Sequence, residues 1–445
     1  MKKGIKYNNT LKIALSFIAI ILLGTLLLCL PVSSQDGSFT SPIDCLFTAT
    51  SSTCVTGLIT LNTATHWSLF GKAVILCMIQ LGGLSFMSVA ALFIMFLKRR
   101  ISASNRKILM QSAGAMELSS PRTMIKRIFI GTALFEGIGA VLLSIRFISQ
   151  FGVIKGIWYS VFHSVSAFCN AGFDLLGYDT PFVSLTAYQN DYLVLSVIAM
   201  LVVVGGIGFI IWGDVAKYRF KFKKYSLHSK LCLSITAALL LTGTLLTLLF
   251  EYNGVLKDMN IFEKIYHSFF QSVTLRTAGF NAIDQASLTE ATKTFSSVFM
   301  LIGGCPGSTA GGIKTTTFFV VLLNIVASTR KNTDVVVFKR RIDSETVRQA
   351  CAVVFVYISM VVVSTVTICG IEGLPLSSVL YETASAIGTV GLTVGITPHL
   401  STLSHLLLTV MMFAGRIGGL SLVTILERKQ QKADIQRPTA KILIG

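Results

Sequence analysis

The sequence predicts an all-α integral membrane protein of four tandem repeats, each a span, a short re-entrant helix, a loop and a second span. Three observations carry that expectation: eight apolar runs of crossing length, basic residues on alternate connections, and one glycine-centred segment that recurs four times.

The 445 residues are 53% hydrophobic and 13% charged, with a mean hydropathy of +0.72, whereas a soluble domain carries roughly 25% charged residues. A bilayer crossing takes roughly 20 apolar residues. Runs of that kind lie near 11–30, 67–97, 124–145, 191–213, 228–250, 293–325, 349–370 and 402–426. The formal net charge is +18, and its placement decides its meaning. Lys2, Lys3, Lys6 and Lys12, the segments 98–127, 217–230 and 330–348, and the tail 428–441 together hold 29 of the 38 Lys and Arg residues. These are alternate connections, so the positive-inside rule puts both termini of a multi-pass protein in the cytoplasm. The basic excess is topology plus contact with anionic membrane lipids, and no nucleic-acid partner is expected. The first run follows lysines as a signal peptide would, but it is too long for a signal h-region and Leu30-Pro31-Val32-Ser33-Ser34 is a poor cleavage site; it is read as a mature span. Nine cysteines, mostly inside apolar runs and without Cys-x-x-Cys spacing, suggest neither a disulfide framework nor a metal site.

The connections on the opposite side each contain an apolar piece of roughly ten residues, too short to cross. They read FTATSSTCVTGL (Phe47 to Leu58), FHSVSAFCNAGF (Phe162 to Phe173), FFQSVTLRTAGF (Phe269 to Phe280) and YETASAIGTVGL (Tyr381 to Leu392). Aligned on Gly57, Gly172, Gly279 and Gly391, each has an aromatic residue ten positions earlier and Leu or Phe directly after; the spacings are 115, 107 and 112 residues. A glycine pair follows in each repeat, at Gly82-Gly83, Gly205-Gly206, Gly303-Gly304 and Gly418-Gly419. The repeats are placed at 1–110, 111–224, 225–340 and 341–445, the third with a broken sixth span and the fourth with a cytoplasmic tail.

Non-helical backbone at membrane depth is tolerated only where it is buried in protein or lines a cavity, so four such loops imply one pseudo-fourfold pore. Backbone carbonyls can replace the water shell of a desolvated cation without any side-chain charge. Glycine lets the loop adopt the dihedrals that turn those carbonyls inward. The C-terminal end of each short helix adds a partial negative charge that favours cations and disfavours anions.

Two further features sit inside the membrane. The sixth span reads IGGCPGSTAGGIKTTT from Ile302 to Thr317, and Gly-Gly-Cys-Pro-Gly followed by another Gly-Gly predicts a break into an intramembrane loop. The stretch Gly307 to Thr315 superficially resembles a P-loop, but Ile313 separates Gly312 from Lys314 and no strand-loop-helix context exists, so no nucleotide is expected on this chain. Arg416 lies deep in the last span, where a charge reads as functional. Arg276, three residues before Gly279, must face away from a cation path or be paired; Glu136, in the third span, is its candidate partner in a structural salt bridge.

On these residues the chain resembles the Trk/Ktr/HKT superfamily of potassium channels and transporters over nearly its whole length, and most of all the bacterial KtrB-like membrane subunit. The resemblance implies a potassium filter at Val55-Thr56-Gly57, Asn170-Ala171-Gly172, Thr277-Ala278-Gly279 and Thr389-Val390-Gly391. Glycine in all four loops goes with potassium preference in that family, although the differing residues two before each glycine make this filter asymmetric. It implies a gate formed by Gly303, Gly304, Cys305, Pro306, Gly307, Ser308, Thr309, Ala310, Gly311, Gly312 and Lys314 together with Arg416. It implies a homodimer with one pore per subunit in the bacterial cytoplasmic membrane, on a KtrA/KtrC-like octameric cytoplasmic ring that binds ATP or ADP, with Na+ as an activator. K+ is then the transported ion. A Na+- or H+-coupled symporter with alternating access is the competing expectation; the repeats all run in one direction, which suits a pore better. An enzyme is not expected, because the six histidines are scattered and no acid-base or metal cluster is visible.

Overall fold

The computed structural model describes residues 9–84, 121–177, 182–219, 221–330 and 334–419. Most of the basic loop near 98–127 and the whole tail Arg428 to Lys441 lie outside the described residues.

The chain begins with α1 (Asn9–Cys29), the short α2 (Pro42–Cys54) and α3 (Leu69–Gly83). After residue 120 come α4 (Pro121–Phe151), α5 (Val153–Phe168), α6 (Tyr192–Ile207) and α7 (Phe209–Tyr218). Next are α8 (Leu227–Glu251), α9 (Ile261–Thr274), α10 (Glu290–Leu301) and α11 (Thr315–Thr329). A two-stranded hairpin, β1 (Val336–Val337) and β2 (Arg340–Arg341), precedes α12 (Ser344–Glu372), α13 (Leu376–Gly388) and α14 (Thr402–Ile417).

Local sequence explains where these helices begin. Ser68, Asp191, Ser226, Thr289 and Ser401 cap α3, α6, α8, α10 and α14 by accepting from a backbone N–H in the first turn. Asn260 and Glu263 form a capping box at α9, and Pro42 opens α2. The short helices end in left-handed residues: Val55 and Thr389 cap α2 and α13 at φ 58 and 52, while Asn170 and Thr277 follow α5 and α9 at φ 60 and 64. Left-handed Val and Thr are rare, so the surrounding structure must enforce them.

Packing is inverted relative to a soluble protein. The spans leave rows of apolar side chains exposed, such as Leu22, Leu23 and Leu26 on α1, Leu241, Leu245 and Leu249 on α8, and Val362, Val363 and Val366 on α12. The short helices are buried although rich in hydroxyls and amides: Thr48, Thr50, Ser51, Ser52 and Thr53 on α2, and Ser268, Gln271, Ser272 and Thr274 on α9. Apolar surface outside with polar groups inside is the arrangement a bilayer solvent favours. The contacts run in a closed circuit. α3 packs on α5, α6 on α9, α10 on α13, and α14 returns to α2.

Among the described residues four helical stretches are long and apolar enough to cross a membrane: Leu11–Cys29, Ile125–Phe151, Leu227–Glu251 and Ser344–Glu372. The short helices run to 13–16 residues, longer than the expected ten. The expected break in the sixth span is present, with residues 302–314 separating α10 from α11. The run near 191–213 was expected to be continuous, but it bends by 97° between α6 and α7. The hinge is Gly208, at φ 101, and the residue after it, Phe209, donates its N–H to the Gly307 carbonyl (2.8 Å) of the broken sixth span. That tertiary acceptor replaces the intrahelical one, which is why the bend was invisible in an apolar run.

The first two glycine pairs mark close approaches of helices, whereas Gly303 lies against Gly311 of its own loop. A Cβ on Gly82 would lie 1.9 Å from the Thr53 carbonyl oxygen and one on Gly205 2.0 Å from that of Phe168, each the fourth residue before a loop glycine. Before Gly391 that contact belongs to Gly415, where a Cβ would lie 2.1 Å from the Ile387 carbonyl, and not to the expected pair Gly418-Gly419, of which Gly419 faces Val353 and Tyr357. Gly82→Ala should therefore force α3 off α2, at an overpacking cost of roughly 1–3 kcal/mol. Thermal unfolding in detergent is expected to show a lowered midpoint, and an unchanged one would contradict this packing.

Candidate functional site

The four loop glycines, separated by more than a hundred residues in sequence, meet at one place. All four have positive φ, at 99, 69, 81 and 89 for Gly57, Gly172, Gly279 and Gly391. A Cβ on Gly57 would lie 2.5 Å from the Ala171 carbonyl oxygen, on Gly172 2.9 Å from that of Ala278, on Gly279 2.6 Å from that of Val390, and on Gly391 2.1 Å from that of Thr56. The carbonyl just before each glycine thus borders the glycine of another loop, and the cycle closes after four steps. Only glycine fits at these contacts.

Side chains two before the glycines, Val55, Asn170, Thr277 and Thr389, are buried, as are Thr56, Ala171, Ala278 and Val390. Hydroxyls on the short helices hold the loops: Ser51 Oγ and Ser385 Oγ accept from the N–H of Gly57 (3.0 Å) and Gly391 (3.1 Å). Ser166 Oγ and Thr274 Oγ1 instead donate to the carbonyls of Phe173 (2.6 Å) and Phe280 (2.8 Å). Sequence reasoning did not single out these four; its available signal was a serine six residues before the glycine in three of the copies.

The loop 302–314 between α10 and α11 closes against the same centre. Gly303 N donates to Ile313 O (2.9 Å) and Thr315 N to Gly304 O (3.1 Å), folding residues 302–315 back on themselves. Cys305 N and Thr309 N donate to the carbonyls of Gly206 and Gly205 on α6. Thr309 Oγ1 donates to Asn170 Oδ1 (2.9 Å) and Phe168 O (3.2 Å), tying the loop to the second glycine loop. Gly311 abuts Thr389 so closely that a Cβ would lie 2.1 Å from Thr389 Oγ1. Pro306 O stands 2.8 Å from a Cβ on Gly208, and Lys314 Nζ donates to Ala310 O (2.6 Å). Ser308 Oγ is buried without a partner among the described residues.

Arg416 joins this loop to the end of α3. Its guanidinium donates to the carbonyls of Thr309, Gly82 and Gly83, the last at 3.2 Å. No carboxylate neutralises it among the described residues. A side chain held on both sides by backbone carbonyls does not extend toward an interface as a snorkelling arginine would.

The salt bridge expected between Arg276 and Glu136 is absent. Arg276, buried below the third loop, donates from Nη2 to Thr236 Oγ1 on α8 (3.4 Å). Glu136 on α4 accepts from Gln80 Nε2 on α3 (3.1 Å) and sits beside the Cys169 thiol. The two charges face different interfaces, one between α9 and α8 and the other between α4 and α3, which their sequence positions could not reveal. All nine cysteines are free thiols, and no group of metal-ligating side chains occurs among the described residues.

The family described as TrkH, cation transport protein, matches residues 6–435. The chain belongs to that family. Among relatives of this TrkH-family chain, the potassium/sodium uptake protein NtpJ of Enterococcus hirae is 41% identical over 97% of this chain and 96% of its own length. The Ktr system potassium uptake protein B of Bacillus subtilis is 38% identical over 100% of this chain and 98% of its own. The Vibrio alginolyticus protein of the same name is 36% identical over 97% and 94%. These relatives are named for uptake, not catalysis. The crystal structure of the potassium transporter TrkH from Vibrio parahaemolyticus superposes with a TM-score of 0.74 at 16% identity, covering 96% of this chain and 86% of that one. At that identity the likeness is one of fold: a TrkH-like helical membrane architecture.

Proposed function

We propose that this chain takes up potassium across the bacterial cytoplasmic membrane through a pore of its own, with both termini cytoplasmic. The observation that carries the proposal is the closed cycle of Gly57, Gly172, Gly279 and Gly391, each bordered by the carbonyl that precedes the next. Four tandem repeats around one pseudo-fourfold axis account for that cycle and for the circuit of α3, α6, α10 and α14 against the short helices. Backbone carbonyls converging at membrane depth suit a dehydrated K+ and give anions nothing to bind. Names of relatives at 36–41% identity support potassium as the ion, and sodium as a second ion of interest.

Residues 303–314 and Arg416 form the gate of this proposal. They lie against Asn170 and Thr389 at the bottom of two loops, and the unneutralised guanidinium opposes a cation. Regulation by a separate nucleotide-binding ring on a homodimer fits the Ktr-system naming of relatives. A coupled symporter with alternating access is the second reading, because the broken spans at Gly208 and 302–314 are discontinuous helices of the kind such transporters use. Isotope exchange into proteoliposomes separates them. Rb+ or K+ exchange without any sodium or proton gradient, with K+ preferred over Na+, is expected for the pore; strict dependence on a co-ion gradient would favour the symporter, and no cation exchange at all would sink both.

A further inference from the structure

Beyond the loop glycines and the gate, two side chains occupy the same register behind different loops. His163 and Glu382 each stand nine residues before their loop glycine, Gly172 and Gly391. Each accepts from the backbone N–H three residues after that glycine: Leu175 N to His163 Nε2 (3.3 Å) and Val394 N to Glu382 Oε1 (3.0 Å). Both are buried, at 0% and 1% exposure.

Each acceptor is itself fixed. His163 Nδ1 lies 2.7 Å from the Tyr159 carbonyl, which assigns the ring proton to Nδ1 and leaves Nε2 as acceptor. Glu382 accepts in addition from Thr393 Oγ1 and, at 2.6 Å through its other oxygen, from Thr397 Oγ1. Thr397 O in turn receives His405 Nε2 at 2.7 Å. The register is empty in the other two repeats. Thr48 Oγ1 has no partner among the described residues, and Phe270 has no acceptor to offer.

The cycle of glycine contacts runs from Gly57 to Gly172 to Gly279 to Gly391 and back. Gly172 and Gly391 are therefore across the ring from each other. We infer that His163 and Glu382 are a matched pair of positioning residues, which pin the outer ends of two opposite loops to their short helices and thereby set the ion preference of the ring. This rests on the ion-pathway reading above. Selectivity by carbonyls depends on where those oxygens are held, and a loop anchored on both sides of its glycine cannot swing outward to suit another ion. The inner side is anchored where Ala171 N donates to the Ser166 carbonyl (2.7 Å) and Gly391 N to Ser385 Oγ (3.1 Å), and His163 and Glu382 supply the outer side.

The test is the ratio of K+ to Na+ isotope flux into proteoliposomes. Removing a buried acceptor, by Glu382→Ala or His163→Leu, is expected to lower that ratio about tenfold. Glu382→Gln retains an oxygen for Val394 N–H and Thr48→Val removes nothing that braces a loop, so both should stay within about threefold of wild type. Glu382→Asp keeps the charge and withdraws the carboxylate by one methylene; it stands in for the alanine variant if that one does not fold, with the same loss expected. A purely structural role would lower the yield of folded protein and leave the ratio of the surviving fraction unchanged. Unchanged ratios in Glu382→Asp and His163→Leu beside a selective wild type would overturn this inference alone; a wild type without cation preference would overturn it together with the ion-pathway reading.

Discussion

Gly391→Ser is expected to abolish most potassium flux in a protein that still folds. Gly391 sits at φ 89, and a Cβ there would come within 2.1 Å of Thr56 O and 2.9 Å of Gly57 Cα. Both neighbours are backbone, so no rotamer change relieves the overlap; the loop itself has to move. A strained backbone residue costs roughly 1–3 kcal/mol, and at about 1.4 kcal/mol per factor of ten the flux should fall about tenfold to a hundredfold. Potassium preference should fall with it, because the displaced carbonyl of Thr56 belongs to the proposed filter. Gly370→Ala is the matched control: nothing lies within 4 Å of a Cβ there, and flux should be unchanged. Wild-type flux and ion preference in folded Gly391→Ser protein would remove the loop glycines from the ion path.

Arg416→Ala should raise potassium flux. Its guanidinium is the clip between the carbonyls of Thr309 in the intramembrane loop and of Gly82 and Gly83 at the end of α3, and it is a positive charge with no carboxylate beside it among the described residues. At an effective dielectric of about 20, an unpaired unit charge near the ion path opposes a passing cation by roughly 1–4 kcal/mol. Loss of the charge and loss of the clip act in the same direction, so flux through Arg416→Ala is expected to rise about tenfold or more. Arg416→Lys separates the two contributions. It keeps the charge but loses the planar fork that reaches three carbonyls, and an intermediate flux is expected. Unchanged flux in both Arg416→Ala and a deletion within 305–312 would dismiss this constriction as a gate.

Much of the site was legible because it depends on register. Gly57, Gly172, Gly279 and Gly391 could be aligned from the aromatic ten residues earlier and the apolar residue after, and the structure brings those four together. The break in the sixth span was legible for a similar local reason, since Pro306 among five glycines cannot continue a helix. What was not legible depends on partners distant in sequence. The bend at Gly208 needs the Gly307 carbonyl, and the glycine that meets the fourth short helix is Gly415, chosen by the position of Ile387. Arg276 and Glu136 were paired only because each lacked an obvious partner; Thr236 and Gln80, which they meet instead, carry no charge to draw attention. His163 and Glu382 differ in chemistry, so a search for identical residues at one register passes over them, and only the shared N–H acceptor relates them.

The central claim is that one chain surrounds the ion. Anomalous diffraction from crystals grown with Rb+ in place of K+ tests it most directly. The account predicts a rubidium peak within each chain, encircled by the carbonyls of Thr56, Ala171, Ala278 and Val390 beside the four glycines. A ring of glycines empty of rubidium, or peaks found only where two chains meet, would contradict it.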